Sequence, residues 1–170
     1  EEWQKLSDKT KQVGSTMTTT LTLPIVAAGG AAFKLASDME ETLNKGDVAF
    51  KRNAEQVKAW ANDSLEVMGL AKQSALDMAA GFASMSDGMG ISEAKTLKMS
   101  TALTQLGADL SSYFNTSTEM ANTALTGVFT GETEALKKYG IVMTEVNLQQ
   151  YAYNKGIQEK VSEMSQAEKV

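Results

Sequence analysis

Residues 92–114, SEAKTLKMSTALTQLGADLSSYF, place Met99, Ala102, Leu103, Leu106, Leu110, Tyr113 and Phe114 three or four positions apart. Side chains at that spacing share one side of an α-helix, so the run predicts a helix that starts near Ser92 and buries an apolar stripe. It is the longest such stripe in the chain. Upstream, Ala71, Ala75, Met78, Ala79, Phe82 and Met85 form a second, and Val57, Trp60, Ala61, Leu65 and Met68 a third. Downstream, Met120, Ala121, Ala124, Leu125, Val128 and Phe129 form another, behind a capping-box pattern at Thr116 and Glu119. Short helices follow around 132–139 and 145–155.

The stops between these runs carry as much information as the runs. Gly69-Leu70, Gly90-Ile91, Gly140-Ile141 and Gly156-Ile157 each put a glycine and then a large apolar residue after a helical stretch. A left-handed C-terminal cap needs that pair: glycine has no Cβ to clash, and the next residue folds back onto the helix. Lys137, Lys138 and Lys155 fall in last turns, where a cation complements the helix dipole. Short helices with such ends reverse on one another, which points to an all-α, compact multi-helix bundle over residues 47–160 with a radius of gyration near ~15 Å. One unbroken helix of 170 residues would instead span about 255 Å.

Residues 1–46 read differently. Residues 1–15 are polar, with Trp3, Leu6 and Val13 as sparse apolar positions, and predict an N-terminal helix. Thr16, Thr18, Thr19, Thr20 and Thr22 disfavour helix, and Pro24 biases Leu23 to an extended conformation, giving a Thr/Pro connector. From Ile25 to Lys45, the set Ala28, Ala32, Leu35, Ala36, Met39 and Leu43 lies on one helical face, with Gly29 and Gly30 as a smooth patch and Gly46 as the expected end. The division is therefore 1–46 for helix, connector and small-residue helix, and 47–170 for the helical domain. Ser165 and Glu168 have the spacing of a capping box within the last six residues, so that domain reads as cut short at its C-terminal end and the chain as a fragment.

Composition narrows the chemistry. A net charge of −5 with a single arginine, Arg52, opposes direct nucleic-acid binding. With neither cysteine nor histidine, thiol chemistry and the commonest general base and metal ligand are absent. Asp38, Glu40, Glu41 and Asp47 could supply a glycosidase-like carboxylate pair, but successive helical positions diverge, and a solvated acidic face is the favoured reading. Met78, Met85, Met89, Met99 and Met120 could line an adaptable groove, with core filling favoured. Gly88-Met89-Gly90 and Thr130-Gly131-Glu132-Thr133 lack the glycine spacing and lysine of a phosphate loop. No catalytic, cofactor or metal residue is assigned, and the expectation is a protein that is not an enzyme.

Against that background, the run Thr20-Leu21-Thr22-Leu23-Pro24-Ile25-Val26-Ala27-Ala28-Gly29, continuing into Ala32-Phe33-Lys34-Leu35-Ala36-Ser37-Asp38-Met39-Glu40, resembles the N-terminal helical region of tail tape measure proteins. Those belong to phages and prophages of Gram-positive bacteria. Leu106-Gly107-Ala108-Asp109-Leu110, Phe129-Thr130-Gly131-Glu132-Thr133-Glu134-Ala135-Leu136-Lys137-Lys138 and Gly140-Ile141-Val142-Met143-Thr144 are similar to the same family, so the likeness covers nearly the whole chain. Tyr113-Phe114-Asn115-Thr116 departs from it, with two aromatics where the family is more polar.

The resemblance implies a structural component of the phage tail, resident in the tail lumen of the virion and in host cytoplasm during assembly. It would set tail length and take part in genome ejection. Implied partners are the protein itself, the tail tube protein, tail assembly chaperones and tail tip proteins. The alternative is a membrane-active helical protein that touches the host envelope through residues 21–36 during genome passage. The apolar run Leu23–Phe33 is eleven residues, against about 20 for a spanning helix.

Overall fold

A computed structural model describes residues 23–170, with backbone alone for residues 23–33. The helix expected over residues 1–15, and the connector up to Thr22, lie outside the described residues. Among the described residues every regular element is helical. In chain order these are α1 (Leu23–Phe50), a 3-10 turn (Lys51–Asn53), α2 (Ala54–Asn62), α3 (Ser64–Met68), α4 (Lys72–Gly88), α5 (Glu93–Tyr113) and α6 (Thr118–Thr130). A 3-10 segment (Thr133–Tyr139), α7 (Glu145–Asn154) and α8 (Gln166–Lys169) complete the order. The chain divides into two compact units, residues 1–41 and 42–170, and the packing below is that of the second.

The all-α expectation holds, and so do the glycine stops. Gly69, Gly90, Gly140 and Gly156 all have φ between +70° and +79°. After three of them the next amide reaches five residues back: Ile91 to the Ser86 carbonyl at 3.0 Å, Ile141 to Leu136 at 3.2 Å and Ile157 to Ala152 at 2.9 Å. Those bonds satisfy carbonyls that the helix end leaves open. Leu70 reaches six back, to Ser64 at 3.2 Å. Two further left-handed caps went unmarked in the sequence: Gly131 after α6, and Asn115 after α5, followed by a Thr116-to-Ser111 bond of 2.9 Å. Asparagine tolerates this conformation better than other residues with a side chain.

Four boundaries differ from expectation. Leu23 is already helical, so Pro24 sits in the first turn of α1, where its missing N–H costs nothing. Gly46 lies inside α1, buried, and the helix runs on to Phe50. The expected stripe from Val57 to Met68 is broken at Asp63, which caps α2 and precedes α3. Leu65 then points out, and Ser64 is buried in its place, its hydroxyl 2.8 Å from both the Ala61 and the Leu70 carbonyls. The α6 cap is Ser117, not Thr116: Ser117 Oγ accepts from the Met120 amide at 3.2 Å. Thr116 contacts the Tyr139 hydroxyl instead.

Two clusters of buried side chains hold this unit. Phe50, Val57, Ala61 and Leu70 meet the alanine-rich face of α4 (Ala75, Leu76, Ala79, Ala80, Ala83) and Ala108 of α5. Phe82, from the other side of α4, stacks on Phe129 at 5.9 Å and joins Leu110, Leu125, Val128, Leu136 and Tyr139. Burial of side chains of this size contributes about 1.5–3 kcal/mol each.

Helix α5 breaks the sequence reading most clearly. Its buried residues are Thr96, Ser100, Thr104, Gly107, Ala108, Leu110 and Ser111, whereas Ala102 is exposed, Leu106 is 37% exposed and Tyr113 84% exposed. The small face packs on α4, which shares its most extensive contact with α5. Small residues let the two helix backbones approach, and close packing then replaces the area that larger side chains would have buried. The hydroxyls are accommodated inside the helix: Thr104 donates to the Ser100 carbonyl and Ser111 to that of Ala108, each at 2.8 Å. Within α5's buried face, Ser100 Oγ alone lacks a partner.

Candidate functional site

The four acidic positions marked in the sequence do not converge. Asp38, Glu40, Glu41 and Asp47 are spread along α1, and Asp47 is taken up by Lys58 of α2. Among the described residues no group of three or more acidic side chains could hold a metal ion. Nor is any described helix long and apolar enough to cross a membrane.

The methionines divide between two environments. Met78 packs against the first core cluster and Met85 against the second, both partly buried, as core filling requires. Met89 and Met99 also touch the second cluster, but they line an open groove of about 630 Å³ as well. Its walls come from the α4–α5 corner (Met89, Ile91, Met99) and the C-terminal segment (Ile157, Met164, Val170), with Lys95, Glu159 and Glu168 at its polar positions. Met120 is 50% exposed on α6, away from that groove, in a hollow with Ala124, Ala135 and Lys138.

The C-terminal segment is held by polar contacts that the sequence partly announced. The Glu168 carboxylate accepts from the Ser165 amide at 2.8 Å and from its hydroxyl at 2.7 Å. Those two bonds, the hydroxyl first, hold the Glu168 pKa below the usual carboxylate value of 4.5. Gln166 Nε2 donates to the Val128 carbonyl at 2.6 Å, closing the open end of α6 beside the Gly131 cap. A side-chain cap from so distant a residue leaves no local signal to read.

The remaining polar concentration surrounds the 3-10 turn. Lys51 Nζ lies 2.7 Å from Asp87 at the end of α4, and Arg52 Nε 3.0 Å from Glu93 at the start of α5. Asn53 Nδ2 donates to the Glu93 carbonyl at 3.2 Å. Lys45 pairs with Asp77 at 3.3 Å. The hydrogen bond to Asp87 raises the pKa of Lys51, and bonds to Asp47 and then Glu55 raise that of Lys58. These are exposed pairs, and solvent screens them. They can hold an element in place, but they present no reacting group to a substrate.

No protein-family model, curated protein or solved structure matches the chain.

Proposed function

We propose that this chain is a piece of a phage tail tape measure protein, acting structurally through helix–helix contacts as part of the ruler that sets tail length. The observation that carries the reading is the order of sequence segments, from Thr20–Gly29 through Phe129–Lys138 to Gly140–Thr144, which resembles that family along nearly the whole chain. The helical architecture is compatible with it, and so is a surface whose polar clusters are spent on ion pairs between helices. Partners are accordingly sought in the tail: tube subunits, assembly chaperones, tip proteins and further copies of the chain.

Ruler action has a geometric consequence. If these 170 residues lie in the tube as extended helix, each adds about 1.5 Å, or ~255 Å in all. Deleting the coding segment in frame from the phage, and measuring tails by electron microscopy, should shorten them by that amount. Duplicating it should lengthen them equally. Tails of unchanged length in both altered phages would overturn the reading.

A further inference from the structure

We propose that the turn at Lys51–Asn53 is a latched hinge, able to straighten so that α1 and α2 become one continuous helix. The local sequence does not ask for a break. Phe50-Lys51-Arg52-Asn53-Ala54-Glu55-Gln56 contains neither glycine nor proline, and most of its residues are good helix formers. Yet Lys51 takes φ +50°, a left-handed conformation that brings its Cβ too close to the following carbonyl oxygen. Lys51 and Asn115 alone among the described non-glycine residues have positive φ, and asparagine suits that conformation as lysine does not.

Tertiary contacts supply what the sequence withholds. Every residue of the turn is fastened to the α4–α5 corner: Lys51 to Asp87, Arg52 to the Glu93 carboxylate, Asn53 to the Glu93 carbonyl. Asp47 on α1 pairs with Lys58 on α2. In a straight helix their Cα atoms would stand about 16–17 Å apart, beyond the reach of the two side chains. That pair therefore exists only while the turn is bent. Phe50 and Ala54 flank the turn and are buried in the first core cluster, so the bent form has an apolar anchor on each side as well. Local preference favours straight, and long-range contacts favour bent. An element on which local and long-range preferences oppose one another is one that a change in the long-range contacts can switch. Because the restraining pairs are solvent-exposed, salt weakens the bent side and leaves local helix preference in place. The inference rests on the geometry of the turn alone and holds whatever the chain's role.

The native chain has no cysteine, so Asn44→Cys and Asn62→Cys introduce a unique pair of spin-label sites at exposed positions on either side of the turn. A continuous helix separates them by about 27 Å, and the bent form by less. Pulsed and continuous-wave EPR should show the short distance at low salt. In 1 M NaCl, and in an Asp87→Asn/Glu93→Gln double variant, a component near ~27 Å should grow several-fold before the α6 core unfolds. Lys51→Gly removes the left-handed strain and should reduce that component, which also guards against the charge variants failing to fold. A short distance that persists until global unfolding would overturn the hinge. So would a broad distribution with loss of helical circular dichroism, since the turn would then melt rather than straighten.

Discussion

Helix α6 turns Ala121, Ala124, Leu125, Val128 and Phe129 inward, whereas its neighbour α5 turns in Thr96, Ser100, Thr104, Gly107 and Ala108. Both have a strong apolar stripe in sequence; α6 buries all of its stripe except Met120, and α5 buries little of its own. The difference comes from what each helix faces. Helix α6 meets large side chains, among them Phe82, Leu136 and Tyr139, and fills the gap between elements with its own. Helix α5 meets the alanines of α4, and there the best packing has few large side chains at all. Hydrophobicity decides that a helix is buried; the partner's side-chain sizes decide which face.

The contrast can be broken by truncation and by overfilling. Leu125 is 2% exposed at the centre of the α6 stripe, so Leu125→Ala should cost about 2–5 kcal/mol in denaturant unfolding. A loss under about 1 kcal/mol would mean that α6 packs as loosely as an exposed helix. On α5, Thr104 is fully buried, and Thr104→Leu forces two extra carbons into a closed contact for about 1–3 kcal/mol. Stabilisation instead would show that the α4–α5 seam has room to spare. Ser100→Ala removes a buried hydroxyl without a partner and should be neutral or stabilising by up to about 1 kcal/mol. Finally, Tyr113→Ser at the exposed end of the same stripe should shift stability by no more than about 0.5 kcal/mol. A larger loss in thermal melts would return that stripe to the core.

What could be read in advance follows from the range of the forces involved. A left-handed cap is decided within six residues, because only glycine, and at some cost asparagine, fits the backbone. The stops at Gly69, Gly90, Gly140 and Gly156 were therefore legible, while Asn115 passed unnoticed as the less common choice. Gly46 shows the limit of that logic: a glycine without a reversing context simply continues as helix. The end of α1 at Lys51 is fixed by Asp87 and Glu93, 36 and 41 residues away, and no local signal carries it. The acidic cluster was legible mostly as surface: Glu40, Glu41 and Asp47 are exposed and Asp38 is half-buried. The Met89–Met99 groove was legible only in its residue type: its second wall, Ile157, Met164 and Val170, comes from the far end of the chain.

The C-terminal segment carries one acid-sensitive contact, that of Glu168 with Ser165. Glu168 has a folded pKa below its ordinary value, so its bonds to Ser165 contribute above about pH 4.5 and fade as pH falls through the lower folded value. Followed by NMR, the Ser165 amide should shift in that acid range while core amides stay still. An unchanged Ser165 signal down to pH 2 would mean that the carboxylate does not hold it.

Two of the four buried hydroxyls of α5 carry their hydrogen bonds with them. Thr104 and Ser111 donate to carbonyls of their own helix, so drawing α5 away from α4 strands neither donor. Separation there forfeits contact area but little polar compensation, so the cost of opening this seam is set by packing rather than by lost hydrogen bonds.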